Sequence, residues 1–338
     1  MSDTKLILHI GSTKTGTKSI QRALASAPQG GQRNWIYPRA GRKTSAHHNL
    51  AYEMGAAFRT AGRWKLDQGG WDAALAEAGE PARIIISSEA FIYLTQPEIA
   101  TLADRIGHLN PRIQLYLRRL DRWAHSHCIQ QLRFGRADIG TPIDVVNTDM
   151  FQMWGQDGRA QGRIVADWVH VFGHDAVTVT AFDRSVIGDD IVQHFAKAHD
   201  LRDHDDWPDR VRAHDSPSLK TLLAVWKLRT LCAEALGADF ALTRRMAELV
   251  SSHFRDRGDV VPRYQLLSAA ACHALWAAYR DDQAQLKALL GADAPVFASL
   301  DDLDDADYVA RPLDYLDAFS DDEMGFVHDL AQRRIKMG

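Results

Sequence analysis

The chain has 338 residues, 46% of them hydrophobic and 25% charged, a balance that supports a sizeable core and excludes disorder over most of its length. A formal net charge of −4 gives no global attraction to nucleic acid or to an anionic membrane, so an anion site has to be local. Cys128, Cys232 and Cys272 are too few and too widely spaced for a disulfide framework or a CxxC metal site, and apolar runs such as residues 83–87 fall far short of the ~20 residues of a membrane span. Residues 1–5 lead directly into an apolar run without the features of a secretory signal, so a reducing cytoplasm is the expected compartment.

In chain order, β-branched apolar runs predict strands at 5–10, 34–37, 83–87, 113–117 and 177–181, each apolar on both faces. Helical periodicity falls between them at 17–25, 97–108, 122–134, 162–172 and 186–200. Beyond residue 217 the pattern is helical, at 219–236, 241–254 and 265–290. Alternating β and α elements predict an α/β fold. Three layers are expected, α/β/α, with a mostly parallel central sheet and a helical C-terminal part. Residues 1–216 would form the core, and 217–338 a helical region packed on it. Segments 39–49, 135–160 and 201–217 read as irregular, and the acidic run 301–307 as a solvated turn without EF-hand spacing.

The most informative stretch follows the first strand: Ile10-Gly-Ser-Thr-Lys-Thr-Gly-Thr-Lys-Ser19. A strand, a Gly-rich turn with lysines and hydroxyls, and a helix start make a phosphate cradle, because backbone N–H groups converge and glycine lets an anion approach. Gly11 and Gly16 have P-loop spacing, but Thr17 separates Gly16 from Lys18, so the nucleotide P-loop pattern is out of register by one residue. Lys14 lies inside the loop instead.

Two further strand ends carry chemistry. Arg118 follows the fourth strand, and Ser126 comes eight residues later on a helix. A guanidinium fork and a hydroxyl suit a dianionic phosphate. The third strand ends in Ser87-Ser88-Glu89, and ligands in open parallel sheets bind at the carboxyl ends of strands. Glu89 is therefore a candidate base, or else a structural acid paired with Arg118, Lys14 or Lys18. His47 and His48 are rival bases that titrate near neutrality. With no further ligand at zinc spacing, no metal is expected there.

The Lys14-Thr15-Gly16-Thr17 loop, in its strand–loop–helix setting, resembles the 5′-phosphosulfate loop of sulfotransferases that use 3′-phosphoadenosine 5′-phosphosulfate (PAPS), the bacterial carbohydrate type in particular. Arg118 and Ser126 match the pair with which that family grips the 3′-phosphate. The resemblance covers roughly residues 5–200. It departs at Lys18, where a second Thr is common in the family. It implies a P-loop-like fold and sulfonate transfer to a hydroxyl acceptor, a carbohydrate or glycoconjugate or another hydroxylated small molecule, with adenosine 3′,5′-bisphosphate as product. Lys14, Thr15, Gly16, Thr17, Lys18 and Ser19 would hold the 5′ end, and Arg118 and Ser126 the 3′ end. Glu89, His47 or His48 would take the proton. Neither nucleic acid nor a membrane span is implied as a partner. Arg202, Arg210 and Arg212 are candidates for a late phosphate contact, and Trp64, Trp71 and Trp154 for stacking on a sugar ring. The alternatives are a P-loop small-molecule kinase and a non-catalytic nucleotide-binding relative.

Overall fold

A computed structural model describes residues 5–27, 33–56, 69–77, 83–141, 161–202, 216–237, 240, 242–255, 257, 261, 263–290 and 300–337. Trp64, Trp154, Arg210 and Arg212 lie outside the described residues. The chain divides into two units that interleave along the sequence: residues 1–119, 159–213 and 279–299 form one, and residues 120–158, 214–278 and 300–338 the other.

The first unit is built on a parallel five-stranded sheet in the order β2-β3-β1-β4-β5. Its strands are β1 (Leu6–His9), β2 (Trp35–Ile36), β3 (Arg83–Ser87), β4 (Arg112–Leu117) and β5 (Val177–Ala181). Alternation along the strands sends side chains to two faces. Leu6, Leu8, Ile84, Ile86, Ile113 and Leu115 pack on one face with Ile99 and Leu102 of α4 (Gln96–Ile106), among others. Helix α6 (Gln161–Phe172) adds Ile164, Val165 and Trp168, and α12 (Arg280–Leu290) adds Leu286. Ile7, Ile85 and Tyr116 face the other way, against Ile20 and Leu24 of α1 (Thr17–Ser26) and Ile191 and Phe195 of α8 (Ile191–Ala198). The sheet is thus covered on both faces, the α/β/α layering that strands apolar on both sides require.

Several boundaries have local causes. The helix expected over 186–200 breaks at Gly188, φ +70°, into α7 (Arg184–Ile187) and α8, whose start Asp190 caps by accepting from Val192 N–H at 2.8 Å. Asp282 of α12 accepts from Gly162 and Arg163 N–H at 3.0 Å, capping α6. A Cβ on Gly162 would collide with the Asp282 carbonyl, so glycine permits this approach. Trp71, in the short helix α3 (Trp71–Ala76), is fully buried and donates from Nε1 to Leu50 O at 3.0 Å, which makes it a core residue and not a sugar platform.

The second unit is helical where described: α5 (Leu120–Arg133), α9 (Leu219–Leu236), α10 (Arg244–Phe254), α11 (Ala269–Ala278) and α13 (Asp321–Met337). Leu228, Cys232, Val250, Phe254 and Val327 lie in its core. Lys220 Nζ and Glu323 Oε1 form a buried ion pair at 2.7 Å. The acidic run is used as well as solvated: Asp305 accepts from Ala269 N–H at the start of α11, and Asp302 takes Arg122 Nη2 at 2.9 Å.

Candidate active site

The strand order puts β1 between β3 and β4, so the loop leaving β1 lies between the carboxyl ends of its two neighbours, where open α/β sheets bind ligands. The chain stays with β4 beyond β1, through Ile10 N–H to Gln114 O (3.0 Å) and Ser12 N–H to Tyr116 O (3.3 Å), and then turns. Two left-handed residues shape the turn, Lys14 (φ +68°) and Gly16 (φ +70°). Such a conformation is unfavourable for lysine, and strain of this kind gathers at functional loops. Gly16 precedes α1 and has no side chain, so the N–H groups of the first turn receive no side-chain cap from that position.

Inside the loop, Thr15 and Thr17 both donate to the Ser12 carbonyl, at 2.6 and 3.1 Å, with their hydroxyls 3.3 Å apart. A Cβ on Gly11 would lie 2.6 Å from Thr17 Oγ1 and 2.7 Å from His9 Nε2, so the first loop residue has no room for a side chain. Gly16 packs against Ile191 and Phe182. Arg118, just past β4, places Nη1 3.4 Å from the Lys14 carbonyl and its guanidinium 5.8 Å from the Phe182 ring centre. The loop and Arg118 therefore meet.

Glu89 opens the 3₁₀ turn Glu89–Tyr93 after β3. Gln21, on the face of α1 that also carries Thr17, donates to Glu89 Oε2 at 2.9 Å. Glu89 Oε1 stands 3.9 Å from His48 Nε2. His48 begins the short helix α2 (His48–Glu53), and its Nδ1 pairs with Ser88 Oγ at 2.7 Å. Burial lowers the His48 pKa from its ordinary value, Glu89 draws it back up, and Lys43 and Lys18 press it down again. The net shift favours the neutral ring. Tyr52 is raised to about 12, by burial first and then by Glu89.

His47 turns away. Its Nε2–H donates to Pro38 O at 2.9 Å, its Nδ1 accepts Ser87 N–H at 3.2 Å, and burial pushes its pKa to about 3. Both ring nitrogens serve the backbone, which fits a fixed structural histidine. Arg202 is tied to Asn34 and Trp35 through its backbone, at the amino end of β2, the sheet edge opposite the loop. Ser19 is buried on α1, and Ser126 lies half-buried on α5 of the helical unit. Gln21 and His9 escaped the sequence reading. Gln21 had a signal, the four-residue step from Thr17 that puts both on one helix face. His9 had one in lying two residues before Gly11, at the end of the first strand.

No family model matches the chain, and no curated protein does. Among solved structures, it is similar to the crystal structure of a sulfotransferase from Alicyclobacillus acidocaldarius, at 15% identity, covering 87% of this chain and 98% of that one with a TM-score of 0.44.

Proposed function

We propose that the chain is a sulfotransferase that moves a sulfonate group from PAPS to a hydroxyl acceptor, a saccharide or another hydroxylated small molecule. The observation that carries this reading is the meeting, at one sheet edge, of the Lys14 loop, the Arg118 guanidinium against it and the Glu89–His48 pair. The residues fit the group. Gly11 and Gly16 let the loop pack closely on His9, Thr17, Ile191 and Phe182, the first turn of α1 offers N–H donors, and Lys14, Lys18 and Arg118 bring positive charge for a phosphosulfate and a second phosphate.

When bound, PAPS supplies a sulfonate already activated by its phosphate leaving group. Lys14 would neutralise charge at the 5′ end, and Thr15, Gly16, Thr17, Lys18 and Ser19 would hold the phosphosulfate. Arg118 suits the 3′-phosphate. His48 Nε2 and Glu89 Oε1 stand 3.9 Å apart, with Ser88 Oγ bonded at His48 Nδ1 and Gln21 donating to Glu89 Oε2. An acceptor hydroxyl set there passes its proton to His48 Nε2, and Glu89 stabilises the imidazolium. The protein's remaining work is placement and charge stabilisation, and losing one charged donor of this kind costs roughly 100-fold in rate.

The test is calorimetric titration with adenosine 3′,5′-bisphosphate and, separately, with ATP–magnesium, on wild type and Arg118→Ala. Bisphosphate binding that weakens ~10-fold or more in the variant is expected from loss of a charge-assisted phosphate contact. Binding of ATP–magnesium with no response to the bisphosphate would overturn the reading in favour of a kinase.

A further inference from the structure

His9, the last residue of β1, is fully buried, and its two ring nitrogens have different fates. Nδ1 pairs with Ser87 Oγ at 2.8 Å, across the register that sets His9 opposite Ser87. Nε2 has no hydrogen-bond partner among the described residues. It is also directed at the anion loop, because the empty Cβ position of Gly11 is 2.7 Å from Nε2 and 2.6 Å from Thr17 Oγ1. A buried polar atom without a partner is unfavourable, so its retention calls for an explanation.

The loop supplies one. Thr15 and Thr17 crowd their hydroxyls onto the single Ser12 carbonyl. An anion in the cradle competes for those hydroxyls, and Thr17 Oγ1 is the one beside Gly11 and His9. We propose that His9 is a positioning residue of the anion loop: its Nε2 pairs with the Thr17 hydroxyl when an anion draws that hydroxyl off the Ser12 carbonyl. The Nδ1–Ser87 bond then ties the loop's bound arrangement to the end of β3. There Ser88 N–H donates to His9 O at 3.0 Å, and Ser88 Oγ holds His48. His9 thus links occupancy of the loop to placement of the proton-accepting pair. Burial lowers its pKa to about 4, so it acts as a neutral hydrogen-bonding ring and adds no charge.

This inference rests on the loop being the bisphosphate site, and the experiment separates the two. Adenosine 3′,5′-bisphosphate is titrated calorimetrically into wild type, His9→Asn, His9→Gln and Lys14→Ala, with thermal melting of each. Asparagine reaches the Nδ1 position and drops Nε2, whereas glutamine reaches the Nε2 position. His9→Asn should bind roughly 5- to 10-fold more weakly, as for one lost hydrogen bond, and His9→Gln within about 2-fold of wild type. Equal affinities for His9→Asn and wild type overturn the role of His9, as do equal losses of affinity and melting temperature in both His9 variants. If Lys14→Ala weakens binding in that case, the functional reading survives. No binding by wild type overturns both. Should the variants not fold, ¹⁵N-histidine spectra of wild type decide: the His9 Nε2 resonance should move on saturation with the bisphosphate, and an unmoved resonance overturns the proposal.

Discussion

His48 sits in a field of known signs. Burial and the cations Lys43 and Lys18 disfavour its imidazolium, and Glu89 favours it. Its pKa in the free protein lies below the ordinary 6.5. If Nε2 receives the acceptor proton, kcat/KM holds as pH falls through 6.5 and declines only at lower pH. Removing a cation relieves the imidazolium, so Lys43→Ala should move that acid limb to higher pH. Removing the anion has the opposite sign, so Glu89→Gln should move it to lower pH, with a lower rate at every pH. The profile of kcat/KM against pH for the three proteins checks this. An acid limb that stays put in both variants would transfer the proton-accepting role away from His48. His48→Ala should lose on the order of 10²–10⁴ in rate, the usual share of a general base.

At the scale of elements, close approach of backbones decides which glycines matter. Gly11→Ala places a methyl against Thr17 Oγ1 and His9 Nε2, both in buried side chains on regular elements with little freedom to yield. Overpacking of this kind is destabilising by about 1–3 kcal/mol. Gly11→Ala should therefore lower the melting temperature and weaken bisphosphate binding together. Gly162→Ala, which drives α6 from α12, should lower the melting temperature and leave binding close to wild type. Melting curves and titrations on both variants check the contrast, and an equal effect on binding would remove the special status of the first loop residue. The strands and the loop were legible in the sequence because burial on both faces and a Gly-Lys-hydroxyl turn leave local marks. Helix α2, which delivers His48, was not, because its six residues carry too little periodicity and are fixed by tertiary bonds such as His47 N–H to Ser87 O. The same limit applies to His47 and His48: adjacent letters diverge because one ring is held by the Pro38 carbonyl and the other by Ser88. The split of the expected 265–290 helix at Tyr279 was also hidden, since α11 and α12 belong to different units.

Across the whole molecule, buried ionisable groups set how stability responds to acid. His9, His47 and His199 are buried in the sheet unit, and burial lowers their pKa values from 6.5 to about 4, 3 and 3. The unfolded chain then binds protons that the folded chain refuses. Stability is complete above pH 6.5 and falls as pH drops from there towards 4, at about 1.4 kcal/mol per pH unit for each histidine once the unfolded form is fully protonated. Glu323, in the helical unit, behaves differently. Burial pushes its carboxyl up, but the bonds from Lys220 and Ser320 outweigh this and hold it below its ordinary 4.5. Its contribution is present above that value and is lost only as pH falls further. Urea unfolding at pH 7, 6 and 5 should accordingly show a steep loss governed by the histidines. His9→Gln should flatten that loss by about 1.4 kcal/mol per unit at its steepest. Lys220→Met should lower stability at pH 7, because it leaves the buried Glu323 carboxylate without its ammonium partner. A pH-independent wild type between 7 and 5 would mean that the buried histidines keep access to protons in the folded state.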